Sequence, residues 1–155
     1  IGRFDGNKDN QYLCQCLAIL KGRKHWVLGK HDNTKDARIN QLFVEVCDYK
    51  ELTDNYNGLN HKLVLNRCPI FTWNGAYKGT IHLYAHVHNN TDGLLYQESL
   101  KKLRELCVEE NIKGFQIKNP PYAYNVGCML PYMNYCPRTL KEILDANDFG
   151  KDNNK

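Results

Sequence analysis

The chain has 155 residues, of which 42% are hydrophobic and 25% charged, and its formal net charge is +4. These values are typical of one soluble globular domain and exclude a coiled coil, a collagen or a chain disordered throughout. No apolar run approaches the ~18 residues of a membrane-spanning helix, and the polar N-terminus lacks a signal-peptide pattern. Seven cysteines without metal-site spacing fit a reducing compartment, so a cytoplasmic protein is expected. The small, scattered charge excess does not favour nucleic-acid binding.

The first half of the chain predicts short helices and strands in alternation. Leucines at helical spacing indicate a helix over residues 11–21, which Gly22 ends. An aromatic and apolar strand over 24–28 follows, and then a short helix over 34–42 with Asn33 as its N-cap. Strands are predicted over 43–47 and 49–53. The pair Asn57-Gly58 predicts a hairpin turn before a strand over 61–65.

The second half holds the most apolar strand, predicted over 80–87, and the longest helix, predicted over 97–111 from its leucine stripe. Two further strand candidates, 115–118 and 123–126, flank a proline pair. A capping box at Thr139-x-x-Glu142 starts a last helix that reaches about residue 146. The sequence therefore predicts a single α/β domain over residues 1–150 with mixed sheets, and a flexible tail over 151–155.

Polar, histidine-containing segments follow three of the predicted strands. They are Gly29-Lys30-His31-Asp32, Asn66-Arg67 and His86-Val87-His88. Loops at strand ends are the usual place for a site on an α/β scaffold. His86 and His88, two apart on a predicted strand, would point to one side and could supply two imidazoles to a metal or a phosphate, with ordinary loop histidines as the alternative. His31-Asp32 could form an acid–base pair or a solvated turn.

The other histidines and the cysteines give weaker signals. His25, His61 and His82 lie in or beside apolar strands, which favours structural roles. Three thiols near the candidate loops have no partner spacing that supports thiolate chemistry, namely Cys68, Cys128 and Cys136.

In chain order, these segments resemble the calcineurin-like metallophosphoesterase superfamily, in its small bacterial branch. The resemblance rests on Gly-Lys-His-Asp, Asn-Arg-Cys-Pro and Ala-His-Val-His-Asn after successive apolar strands, and on supporting segments such as Gly79-Thr80-Ile81-His82-Leu83-Tyr84 and Pro137-Arg138-Thr139-Leu140. It extends over residues 2–143. It implies an α/β/β/α sandwich and a two-metal centre between the loops, which would clamp a phosphate and activate a water.

The chain departs from most of the blocks that build this metal centre. The first block and its strand would precede Ile1, so the resemblance implies a sandwich that lacks its usual first strand. Cationic side chains occupy the positions of the bridging carboxylate, the ligand asparagine and one ligand histidine, namely Arg3, Lys30 and Arg67. The histidines of the acid position and of the last block are kept as His31, His86 and His88. Arginine is not a metal ligand, and a lysine ammonium would repel a dication.

These replacements predict a degenerate metallophosphoesterase-fold protein that binds a phosphate-bearing, nucleotide-like ligand or a protein partner without turnover, for instance as a sponge or an inhibitor. Fixed cations can receive a phosphate in place of metals, and arginine does so bidentately. The predicted ligand-binding residues are Arg3, Lys30, His31, Arg67, His86 and His88. His31 and Asp32 are the catalytic candidates. Simple decay of the site is the alternative explanation.

Two further expectations concern metals and partners. No cofactor is expected in the degenerate protein, whereas an active metal-dependent phosphoesterase would hold divalent Mn, Fe, Zn or Mg ions at His86 and His88. Loss of the first strand would expose an unpaired sheet edge, which predicts a homodimer or a protein partner at that edge.

Overall fold

Short strands and helices alternate along the chain, which gives the mixed α/β fold that the sequence predicted. The computed structural model describes residues 10–30, 32, 35–88, 90–109 and 119–149. Its elements in chain order are α1 (Asn10–Ile19), β1 (His25–Val27), α2 (Ala37–Asn40), β2 (Glu45–Cys47), β3 (Tyr49–Tyr56), β4 (Leu59–Asn66), a 3-10 turn (Ala76–Lys78), β5 (Ile81–Tyr84), α3 (Thr91–Glu109), β6 (Tyr122–Asn125) and α4 (Leu140–Ala146).

The strands form two sheets, and the larger one is mixed, as expected. β1 pairs with β2 in parallel, so that His25 lies opposite Glu45. The other four strands have the order β3-β4-β5-β6, in which β3 and β4 are antiparallel while β4, β5 and β6 run parallel. The carboxyl ends of β4, β5 and β6 therefore lie at one edge of this sheet, where two of the three predicted site segments lie.

Both faces of the four-stranded sheet are covered, because successive side chains of a strand point to opposite sides. On one face Leu63 of β4 packs in a cluster with residues of α4, including Leu144. On the other face Val64 packs with residues of α3, including Leu100. A third, smaller cluster of Leu17, Trp26 and Ile39 joins α1, β1 and α2. Among the described helices, none combines the length and the apolar character that crossing a bilayer requires.

Two local predictions are confirmed. Asn57 and Gly58 both have positive φ, at 52° and 82°, which is the backbone of a two-residue hairpin turn between β3 and β4. Thr139 caps α4: its hydroxyl accepts from the N–H of Glu142, and the Glu142 carboxylate accepts from the N–H of Thr139 at 2.8 Å.

Several predicted boundaries are wrong. The strand predicted over 80–87 ends at Tyr84, and a turn follows. The helix predicted from residue 97 begins at Thr91, because the Asn90 side chain accepts from the N–H of Gly93 at 3.1 Å and starts it earlier than the leucine stripe indicates. The short helix predicted over 34–42 is one turn capped by Asp36. The predicted N-cap Asn33, the strand over 115–118 and the tail over 151–155 lie outside the described residues.

Candidate functional site

The carboxyl-terminal edge of β4, β5 and β6 brings together two of the three predicted segments. Arg67 directly follows β4, and His86 and His88 follow β5 after Ala85. The Arg67 carbonyl accepts from the N–H of Ala85 at 3.1 Å and from that of His86 at 2.7 Å. Arg67 and His86 are therefore held as neighbours by backbone hydrogen bonds.

The charge of Arg67 is uncompensated in the described part of the chain. Its side chain is partly buried, and no described carboxylate forms an ion pair with its guanidinium. A guanidinium presents a planar set of N–H donors that matches a phosphate or a carboxylate. The edge thus offers a permanent positive charge on a residue whose backbone is hydrogen-bonded to that of the exposed His86.

The His86-Val87-His88 segment is a turn, so the prediction that both imidazoles point to one side of a strand is wrong. The N–H of His88 donates to the Ala85 carbonyl at 3.2 Å, and His88 has a positive φ of 47°. Alternation with a period of two applies only to extended chain. The middle residue, Val87, is buried, while both histidines are exposed to solvent.

An asparagine that was not among the predicted site residues fixes this turn. Asn125, at the end of β6, donates from Nδ2 to the His88 carbonyl at 2.8 Å and accepts on Oδ1 from the N–H of Gly127 at 3.0 Å. Asparagine side chains readily hydrogen-bond to neighbouring backbone, and an asparagine at the end of an apolar strand is the signal that could have identified it.

The segment after β1 lies in the other sheet. Lys30 is exposed there, and the Asp32 carboxylate accepts from the indole N–H of Trp26 at 2.9 Å and from the N–H of Gly29 at 2.6 Å. Its other oxygen is buried without a partner among the described residues. No described hydrogen bond or ion pair joins this loop to Arg67 or His86. The contacts of Asp32 therefore support the fold of the loop, and its catalytic role stays a prediction.

Two of the predicted residues, Arg3 and His31, lie outside the described residues. Their proximity to Arg67 stays a prediction.

The side chains at the edge of the larger sheet do not fit a two-metal centre. Such a centre needs a bridging carboxylate and several donors for each ion. The described residues contain no group of three or more His, Cys, Asp or Glu side chains placed to hold a metal ion. What the edge offers is two imidazoles and the guanidinium of Arg67, and a guanidinium is not a ligand.

His82, in the middle of β5, supports the segment that follows Arg67. Its ring is fully buried, and Nδ1 lies 3.1 Å from the Val64 carbonyl oxygen. The N–H of Ile70 donates to Nε2 at 3.4 Å, and the Cys68 carbonyl lies 3.2 Å from the same nitrogen. Desolvation lowers the pKa of His82, so its neutral form is favoured. The structural role predicted for this histidine is confirmed, and it reaches the candidate site through Cys68.

Comparison of the chain with protein-family models, with curated proteins and with solved structures found no match. The chemistry of the edge itself must therefore carry the functional argument.

Proposed function

We propose that this protein is a degenerate member of the calcineurin-like metallophosphoesterase superfamily, with an α/β/β/α sandwich, and that it binds a phosphate-bearing, nucleotide-like ligand without hydrolysing it. One observation carries the proposal. The guanidinium of Arg67 has no carboxylate partner in the described chain, and the Arg67 backbone is hydrogen-bonded to that of His86.

The chemistry of these groups favours binding over turnover. Arginine stays protonated and can donate two parallel hydrogen bonds to phosphate oxygens. The imidazoles of His86 and His88 are exposed and can donate further hydrogen bonds to the same anion. None of these three side chains can bridge two metal ions. They therefore cannot supply the metal-activated water that the family's reaction uses. Arg3, Lys30 and His31 complete the proposed ligand-binding set.

Isothermal titration calorimetry with AMP and with inorganic phosphate tests the proposal. We expect both to bind, and we expect Arg67→Gln to weaken binding by about tenfold or more, because a charge-assisted bidentate contact is lost. Arg23→Gln is the matched control: Arg23 is also exposed, but it precedes β1 and lies outside the proposed site. This control should leave the affinity unchanged.

Two results would contradict the proposal. The first is that neither AMP nor phosphate binds, or that both bind equally to the wild type and Arg67→Gln. The second is hydrolysis of a chromogenic phosphodiester that requires Mn²⁺ and is lost in His88→Ala, which would support the active phosphoesterase instead.

A further inference from the structure

A polar cavity of about 630 Å³ opens at the other end of the parallel strands from Arg67 and His86. Its floor is the β3–β4 hairpin, where Thr53 lies directly opposite Lys62. Its wall is the loop over residues 74–80, which leads into β5, and Asn119 lines a further side before β6. We propose that this cavity binds a small anionic carbohydrate, a sugar acid or a sugar phosphate, independently of the site at Arg67.

The wall of the cavity is preformed. The indole N–H of the buried Trp73 donates to the Thr80 carbonyl at 2.8 Å, and the N–H of Thr80 donates to the Gly75 carbonyl at 3.1 Å. Gly75 and Gly79 have positive φ values of 75° and 87°, which fix the two corners of the loop. A ligand therefore meets a wall that needs little ordering, and this lowers the entropic cost of binding.

The described lining holds two lysines and one carboxylate, that of Glu51, so its net charge is positive. Lys62 and Lys78 are both exposed and form no ion pair with a described residue. The carboxylate of Glu51 is already engaged, since both of its oxygens accept from Asn74 Nδ2 at 3.1 Å and one accepts from the Tyr49 hydroxyl at 3.2 Å. An anionic group on a ligand can therefore lie between the two ammonium groups.

The uncharged groups of the cavity match hydroxyl groups. Amides and hydroxyls, on Asn60, Asn119, Thr53 and Thr80, offer both donors and acceptors, as a polyhydroxylated ligand requires. The one aromatic ring in the described lining is that of His61, and it is already engaged in edge contacts with the rings of Tyr56 and Phe149. A volume of about 630 Å³ also lies within the usual range for small-ligand sites, about 300–1,000 Å³. These features favour an anionic sugar over a nucleotide.

Calorimetric titration with glucuronate, glucose 6-phosphate and glucose tests the inference. We expect at least one of the two anions to bind at millimolar concentration, and the preferred one identifies a carboxylate or a phosphate as the recognised group. Glucose should bind about tenfold more weakly or not at all, because it cannot engage the lysines.

Variants locate the binding. The double variant Lys62→Gln, Lys78→Gln should weaken binding of the preferred anion by about tenfold or more. Lys102→Gln, on an exposed position of α3, is the matched control and should have no effect. Thr53→Trp places a strand-compatible bulky side chain on the cavity floor and should abolish binding, with circular dichroism confirming that the variant is folded.

The two sites are separated by titrating Arg67→Gln with the preferred anion, because this variant should keep the binding that the lysine double variant loses. The inference is overturned if neither anion binds, if glucose binds as tightly as the anions, or if the lysine double variant keeps the wild-type affinity.

Discussion

His82 shows how one buried side chain supports an exposed site. Its ring lies between the carbonyls of Val64 and Cys68 and packs near Trp73, with ring centroids 5.3 Å apart. Cys68 is the residue after Arg67, so the contact with the buried imidazole helps to fix the backbone position of Arg67. Burial lowers the pKa of His82 because a charged ring would lose its solvation.

The lowered pKa predicts a pH-dependent stability. The unfolded chain takes up a proton on His82 near its ordinary pKa of 6.5, whereas the native state takes it up only at lower pH. The free energy of unfolding should therefore be highest above about pH 6.5 and decrease as the pH falls below it towards the native pKa. Urea unfolding at about pH 7.5 and about pH 5.5 measures this change.

Substitution separates His82 from the other titrating groups. His82→Asn should cost about 1–3 kcal/mol at the higher pH, because a buried hydrogen bond is lost, and should reduce the loss of stability at the lower pH. His25→Asn, at an exposed histidine, should keep that loss. An equal pH dependence in His82→Asn and the wild type would contradict the explanation.

At the same scale, the sequence predicts single residues unevenly. His82 could be recognised as structural because its neighbours in the strand are apolar. His86 and His88 could be recognised as polar groups after a strand. Their turn could not be predicted, because it depends on hydrogen bonds accepted by the Arg67 carbonyl and donated by Asn125, two residues distant in sequence. The hydrogen bond from Trp26 to Asp32 spans only six residues, but it depends on the path of the intervening loop, which no local motif predicts.

Among the elements, the loop over 74–80 depends most on backbone conformation. Gly75 has a φ of 75°, and a Cβ on it would collide with the Thr80 hydroxyl. Gly58, in the β3–β4 turn, also has positive φ, but a Cβ there would meet nothing within 4 Å. The two glycines share the conformational requirement and differ in the available space.

This contrast predicts different costs for two alanine substitutions. Gly58→Ala should lower the free energy of unfolding by about 1–2 kcal/mol, the cost of a left-handed conformation with a side chain. Gly75→Ala should lower it by a further ~1–3 kcal/mol, because the added methyl group must displace Thr80. Urea denaturation of both variants measures the difference. Equal costs would show that the loop relaxes around the methyl group.

The type of each secondary-structure element was predicted better than the residues at which it begins and ends. The hairpin and the capping box were identified from short motifs, Asn57-Gly58 and Thr139-x-x-Glu142, whose signals are local. The start of α3 was placed too late because the leucines of its first turns, Leu94 and Leu95, are exposed and extend no buried stripe. Where a side-chain cap starts a helix, the first turn need not show the hydrophobic periodicity from which a helix is predicted.

For the whole molecule, the two sheets have separate hydrophobic clusters, each with one of the two tryptophans. Among the residues that the structure describes, Trp26 belongs to a cluster of three buried residues, while Trp73 belongs to one of the two eight-residue clusters of the four-stranded sheet. Less buried apolar surface gives less stability against local opening. The sheets are also linked by an ion pair between Glu45 and Lys50, which contributes little at the protein surface.

We therefore expect the surroundings of Trp26 to unfold before those of Trp73. In Trp73→Phe, the fluorescence of Trp26 should change at a lower urea concentration than the far-ultraviolet circular dichroism of the same variant. In Trp26→Phe, the fluorescence of Trp73 should follow the circular dichroism. Comparison within each variant removes the effect of the substitution itself. Coincident transitions in both variants would instead support the predicted single cooperative domain over 1–150.

The predicted homodimer concerns the sheet edges. β3 is an edge strand of the larger sheet, and it carries three charged residues, Lys50, Glu51 and Asp54. Charges on an edge strand oppose pairing with a second chain. A partner at another edge stays a prediction.

A single residue, Asp48, separates β2 of the smaller sheet from β3 of the larger one. The Asp48 carbonyl accepts from Asn66 Nδ2 at 3.0 Å, and Asn66 is the residue before Arg67. The connector between the two halves of the molecule and the proposed anion site are thus mechanically joined. The Asn66 side chain therefore ties the residue that precedes Arg67 to the short connector between the two sheets.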